Sequence, residues 1–268
     1  MNKTSHWSRL KHWSPFLLSV SILVLCAFTL IRQPEKPTIF IIGDSTVKNS
    51  DGNGDNPYWG WGSLLYTYFD TTRIAIVNWA KPGASTRTFI LDGRWAKVRD
   101  QLKKGDFVIM QFGHNDHAGV VDTIRQKGSL LGIGDATRQI LSIRTHKPEM
   151  VHTYGWYLKK LIQETKSKGA IPIVCSLVPR NRWHNGQVVE EARYPQWADT
   201  VARSSGAYFI NLNRIIAAHW VVLGKDSIQQ FFPKDGTHTN LKGARLNAAC
   251  VIEGIKSLRD CPVKQYLK

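Results

Sequence analysis

A serine placed where an apolar run gives way to turn residues is the first candidate for chemistry. In Thr38-Ile-Phe-Ile-Ile-Gly-Asp-Ser-Thr-Val47, the run of β-branched residues and Phe has the pattern of a strand buried on both faces. Gly43 and Asp44 then form a turn that brings Ser45 out at the strand's carboxyl end, where ligands bind in open α/β sheets. A serine hydroxyl is a poor nucleophile at neutral pH, so it needs a base, and a third group must hold that base in one tautomer. His238 and Asp235 suit these roles. An Asp three residues before a His on one tight loop can turn back to Nδ1 and leave Nε2 free, and Gly236 permits the turn. Acyl transfer also needs donors aimed at the oxygen that becomes negative, each worth about 3 kcal/mol in the transition state. The candidates are the backbone N–H of Ser45, the backbone N–H of Gly83 and the side-chain amide of Asn115. Gly83 suits close approach because it has no side chain to obstruct substrate. His114 and Asp116 are assigned to hydrogen bonds within their own loop.

The elements that must position these residues alternate. Strand-like runs fall at 38–43, 74–79, 106–112, 170–176 and 207–212, and helix-like patterns at 59–69, 93–104, 152–168, 195–205 and 241–258. Asn240 is placed to cap the last helix. Such alternation predicts a parallel five-stranded sheet with helices on both faces. The loops carrying Ser45, Ala80 to Phe89, Gly113 to Asp116 and Phe232 to Asn240 then gather at one edge of the sheet.

With 268 residues and no break in composition past residue 40, the chain is read as one α/β domain. The net charge is +16, of which residues 1–33 hold only Lys3, Arg9, Lys11 and Arg32, so most of the excess belongs to the folded part. A basic surface draws polyanions, yet no Lys/Arg cluster resembles a recognition helix, and nucleic acid is not an expected partner. Residues 15–31, apolar and preceded by Lys3, Arg9 and Lys11, read as an export signal or a membrane anchor. The absence of a small-x-small cleavage site favours an uncleaved anchor with residues 33–268 outside the cytoplasm, periplasmic or at the cell surface. The bulky Leu25 argues against lipidation of Cys26. Cys175 falls in a buried strand, and Cys250 and Cys261 flank the end of the last helix, where they could pair in an oxidising compartment. No cluster has metal-ligand spacing.

Taken in order, Gly43-Asp44-Ser45-Thr46, Gly83, Gly113-His114-Asn115-Asp116 and Asp235-Gly236-Thr237-His238 resemble the four blocks of the SGNH (GDSL-type) hydrolases. His152-Thr-Tyr-Gly-Trp-Tyr-Leu-Lys and Gly169-Ala-Ile-Pro-Ile-Val-Cys-Ser-Leu-Val-Pro-Arg180 are similar to the rhamnogalacturonan acetylesterase branch. The resemblance spans residues 38 to 258 and implies a flavodoxin-like three-layer α/β/α sandwich, no metal or organic cofactor, and removal of acetyl groups from pectic polysaccharide. By position it carries the nucleophile to Ser45, the oxyanion donors to Gly83 and Asn115, and the other triad members to Asp235 and His238. The second block departs from the pattern, because Pro82-Gly83-Ala84-Ser85 stands where relatives often have Gly-Gly-Arg-Ser. The missing arginine leaves Arg87 as its candidate substitute toward an acidic glycan. Trp59, Trp61, Trp183 and His184 are candidates to line a sugar groove, since aromatic faces stack on sugar rings. Two other readings stay open: the same machinery acting on acetylated xylan, an envelope glycan or a short lipid ester, or a membrane-tethered carbohydrate-binding protein without turnover.

Overall fold

Five strands rich in Ile, Val and Phe form the central sheet of the computed structural model, which describes residues 36–49, 57–122 and 124–268. They are β1 (Thr38–Gly43), β2 (Ala75–Asn78), β3 (Phe107–Gln111), β6 (Ile171–Cys175) and β9 (Tyr208–Ile210), all parallel in the order β2-β1-β3-β6-β9. Two hairpins supply the remaining strands: β4 (Thr137–Leu141) with β5 (Pro148–His152), and β7 (Trp183–His184) with β8 (Gln187–Val188). Counting the main-sheet strands alone, the order is 2-1-3-4-5, so connections leave in opposite directions from β1 and β3. Loops after those two strands diverge and leave a crevice at their carboxyl ends.

The period of two in each strand sorts its side chains between two cores. Ile39, Ile41, Phe107, Ile109 and Ile173 enter one cluster, covered by α5 (Leu212–Leu223) and α7 (Leu241–Ser257). Phe40, Ile42, Val108, Met110 and Val174 enter the other, covered by α1 (Thr86–Leu91), α2 (Arg94–Arg99), α3 (Tyr154–Ser167) and α4 (Arg193–Ser204). A short α6 (Lys225–Gln229) follows α5. Burial of each Ile or Phe is worth about 2 kcal/mol, so both faces of β1 are strongly held. The result is the expected three-layer α/β/α sandwich, and residues 37–268 form one compact unit.

Helix α3 starts at a Thr153 cap whose hydroxyl accepts from the Trp156 N–H at 3.1 Å. Asn240 caps α7 as predicted, accepting from the Gly243 N–H at 3.1 Å. The helix expected over 59–69 does not form. Two 3-10 turns, Trp61–Ser63 and Leu65–Tyr68, stand in its place. The Trp61 and Gly62 amides donate instead to the Thr46 and Val47 carbonyls, at 3.1 and 2.9 Å, which takes them out of a helical ladder. A β-carbon on Gly60 would collide with the backbone of Val47 and Lys48. The 93–104 helix is shorter than expected, and α1, α5, α6 and both hairpins were not expected.

Cys250 and Cys261 do not pair. Both are free thiols buried in the same apolar cluster, where they pack as small hydrophobes, and burial pushes the Cys250 thiol up to about 12. Residues 1–33, with the anchor expected over 15–31 and Cys26, and most of the Gly-rich 49–57 loop lie outside the described residues. Among the described residues no helix is long and apolar enough to cross a membrane.

Because backbone cannot yield as a side-chain tip can, Gly60→Ala is expected to lower unfolding stability by about 2 kcal/mol in urea denaturation. An unchanged midpoint would contradict the close approach described here.

Candidate active site

The turn after β1 is fixed from beneath by a buried chain of hydrogen bonds. Trp61 Nε1 donates to Gln111 Oε1 at 2.8 Å, Gln111 Nε2 donates to Thr46 Oγ1 at 2.7 Å, and Thr46 Oγ1 donates to Asp44 Oδ1 at 2.7 Å. The Thr46 N–H also donates to Asp44 Oδ1, at 2.8 Å. Asp44 is fully buried, and desolvation raises its carboxyl to about 6 against the opposing effects of the Thr46 bonds, His238 and Arg180. Gly43 lets β1 pass close to its neighbour, because a β-carbon there would press on Val47 and on the Gln111 carbonyl. Ser45 emerges from this turn only 8% exposed.

The partners of Ser45 arrive on the loop before α7. Ser45 Oγ lies 2.8 Å from His238 Nε2, and His238 Nδ1 lies 2.8 Å from Asp235 Oδ2. The other Asp235 oxygen accepts the Thr237 and His238 N–H groups at 2.7 and 2.8 Å. Partial burial would raise this carboxyl, but the His238 ring bond and the two backbone donors outweigh it and hold Asp235 down at about 2. The loop is clamped from outside. Trp59 N–H donates to the Thr239 carbonyl at 2.7 Å, Asn181 N–H donates to the Gly236 carbonyl at 2.8 Å, and Arg180 Nη1 donates to Thr237 Oγ1 at 2.5 Å. Tyr58 completes the enclosure, with its ring centroid 5.1 Å from that of His238 and its hydroxyl donating to Asp235 Oδ2 at 3.3 Å.

Two further loops are tied to this turn. The Lys81 N–H donates to the Gly43 carbonyl at 3.0 Å, and Asn115 Nδ2 donates to the Ala84 carbonyl at 3.0 Å, leaving the second amide hydrogen of Asn115 free of that bond. Gly83 has φ +76°, a conformation that favours glycine. Among the described residues, neither the Ser45 nor the Gly83 N–H donates to another protein group. Asp116 reaches beyond its own loop, contrary to expectation: it accepts from the Thr86 hydroxyl at 2.5 Å and from Ser129 Oγ at 3.2 Å, joining the β3 loop to the start of α1. Burial first, and the neighbouring Arg180, His117 and His238, push His114 down to about 3, so its ring is neutral. The arrangement can therefore deprotonate a serine hydroxyl beside unengaged N–H donors.

Substrate-contact expectations divide. Trp183 is half-buried, and His184 is exposed. Both lie in the β7–β8 hairpin just beyond Asn181, which holds the His238 loop. Trp61 is core, and Trp59 is half-buried as a clamp. Arg87 is a correction. It is fully buried, with Nε donating to Glu149 Oε1 at 2.7 Å and Nη1 to the Gly128 carbonyl at 2.8 Å, so it reaches no glycan. Tyr58 and Arg180 were missed as site residues. Arg180 closes a stretch already notable in the sequence, whereas nothing local marks Tyr58, which is 177 residues from its Asp235 partner.

Residues 41–246 match the model of the "GDSL-like Lipase/Acylhydrolase family". The chain is similar to a rhamnogalacturonan acetylesterase of Emericella nidulans, 28% identical over 234 residues that span 87% of this chain and 90% of that one. It is also similar to the rhamnogalacturonan acetylesterase RhgT of Bacillus subtilis, 26% identical over 245 residues, 85% of this chain and 93% of that one. Among solved structures, the YxiM protein of Bacillus subtilis superposes with a TM-score of 0.66 at 23% identity, covering 82% of this chain and 56% of that larger one.

Asp44 supplies a pH test. Its carboxyl ionises near 3.8 when unfolded and near 6 when folded, so between these values the folded chain keeps a proton that the unfolded chain has released. The contribution of Asp44 to stability therefore falls as pH rises through this window, by about 3 kcal/mol, and is constant above it. Asp44→Asn, which does not titrate, is expected to gain on the wild type between about pH 4 and pH 6 in urea denaturation. Stability curves that stay parallel across that range would contradict the burial assigned to Asp44.

Proposed function

We propose, from the premise that this chain belongs to the GDSL-like lipase/acylhydrolase family, that it is a serine esterase removing O-acetyl groups from polysaccharide by two-step acyl transfer. The observation that carries this reading is the continuous relay from Ser45 Oγ through His238 to Asp235, two contacts of 2.8 Å, beside the unengaged Ser45 and Gly83 N–H groups.

In the first step His238 Nε2 takes the Ser45 proton as Oγ attacks the acetyl carbonyl carbon. Asp235 holds the imidazole in the tautomer with hydrogen on Nδ1 and stabilises the imidazolium that forms. The carbonyl oxygen becomes negative and is met by the N–H of Ser45, the N–H of Gly83 and the amide of Asn115, each contributing about 3 kcal/mol. On collapse, the C–O bond to the sugar breaks, and His238 returns its proton to the departing sugar hydroxyl. Water then attacks the acetyl-Ser45 ester, with His238 again as base, and acetate leaves.

A pectic rhamnogalacturonan is the substrate favoured, because the two curated relatives described above carry that activity in their names and the +16 net charge suits an acidic glycan. Trp183 and His184, in the hairpin beyond Asn181, are the proposed wall for the sugar, supported by their exposed or half-exposed aromatic rings. An extracytoplasmic location, held through residues 15–31, belongs to the same proposal, and its support is the apolar, positively flanked sequence of that segment.

Acetate release from acetylated rhamnogalacturonan, acetylated xylan and a short lipid ester tests activity and substrate together. Ser45→Ala is expected to lower kcat about ten-thousandfold on every ester that is turned over, with rhamnogalacturonan the best substrate. Full activity of Ser45→Ala would overturn the mechanism, and a preference for xylan or lipid would overturn the substrate.

A further inference from the structure

A pocket adjoins the Gly83 loop. It is lined by Lys81, Gly83, Asp92, Lys127 and Arg144 among others and encloses about 240 Å³. Asp92 is its one carboxylate and is already engaged, by Lys81 Nζ at 3.5 Å and by Arg144 Nη2. The Lys127 ammonium lies over Gly83, where a β-carbon would otherwise stand, and among the described residues no carboxylate pairs with it.

The backbone that carries this ammonium is fixed by hydrogen bonds. The Lys127 carbonyl accepts from Ser85 Oγ at 2.6 Å, and the next carbonyl, of Gly128, accepts from the buried Arg87. Gln126, also buried, donates to the Leu141 carbonyl and accepts from the Ile143 N–H, both at 2.9 Å, which fastens the segment to the β4–β5 turn carrying Arg144. Arg87, expected to contact a glycan, thus supports the loop that presents a different cation. Burial, and the neighbouring Arg125, Arg144 and Lys81, lower the Lys127 pKa, which is the signature of positive charge short of a counter-ion.

Resting on the esterase reading above, we propose that Lys127, Arg144 and Lys81 form a subsite for the carboxylate of an acidic sugar, a uronate, in the glycan whose acetyl group reaches Ser45. Gly83 links the two sites, offering its N–H to the ester oxygen while its α-carbon borders the cationic pocket. An anion there repays the charge deficit and orients the ring before attack, so the subsite sets specificity for acidic over neutral glycans.

The test measures binding of unacetylated galacturonate oligosaccharide by calorimetry to the Ser45→Ala protein, with and without a second substitution. It also measures kcat/KM of otherwise wild-type protein on an acetylated galacturonate and on its neutral acetylated galactoside counterpart. Lys127→Gln and Arg144→Gln are each expected to weaken oligosaccharide binding about tenfold or more and to lower the acidic-to-neutral preference by a similar factor through KM. Lys127→Arg is expected to keep most of both, and added salt to erode both in the wild type. Binding and preference unchanged within about twofold would overturn the subsite. Equal losses on the acidic and neutral esters would overturn it too, assigning Lys127 to the ester oxygen instead. The esterase reading fails separately, by retained turnover in Ser45→Ala, while the binding arm still reads the subsite.

Discussion

The turn that presents Ser45 hangs on one buried chain of hydrogen bonds, from Trp61 through Gln111 and Thr46 to Asp44. In a low-dielectric interior, such a chain is rigid when satisfied and costly when broken, so the position of the serine is set from below rather than by its reacting partners. The same chain joins β3 to the turn after β1, because Gln111 is the last residue of that strand. It also reaches the 3-10 turn at Trp61, whose backbone is bonded to Thr46 in its own right. Loss of any member would free the serine to move relative to a base that arrives from the other end of the chain.

That base comes from 193 residues away, and the sheet makes the meeting possible. Between β1 and β3 the connections diverge, which opens the crevice where Ser45, the Gly83 loop and Asn115 converge. His238 closes it from above, on a loop clamped by Trp59, Asn181 and Arg180. Exposure rises along the relay, from Ser45 at 8% to the Asp235 side chain at 43%. The nucleophile is thus sheltered while the orienting carboxylate keeps some solvent, and the His238 ring with two backbone donors keeps Asp235 ionised against the effect of its partial burial.

The strands were legible because β-branched runs bounded by Gly, Asp and Pro have few other readings, and the site blocks because Ser, Asp, His and Gly carry chemistry wherever loops gather. Tertiary bonds overrode the local pattern elsewhere. Residues 59–69 have helical spacing, yet Gly60 and Gly62 pass close against Val47, and the Trp61 and Gly62 amides are spent on the Thr46 and Val47 carbonyls. Arg87 looked like a surface cation beside the Gly83 block, but its fate is decided by Glu149, 62 residues on, and by the Gly128 carbonyl. Cys250 and Cys261 were near in sequence, but each packs as an apolar group. Lys127 and Tyr58 carry no local mark at all; only the folded chain brings one over Gly83 and the other against His238.

The central claim is that Ser45 itself carries the acetyl group between substrate and water. Rapid acid quench of the working enzyme, followed by mass spectrometry of its peptides, tests this most directly. The account predicts a transient single acetyl group on the peptide containing Ser45, forming before free acetate reaches its steady rate and absent from the Ser45→Ala protein. Turnover at full rate with no acetyl on that peptide, or with the group on another residue, would contradict it.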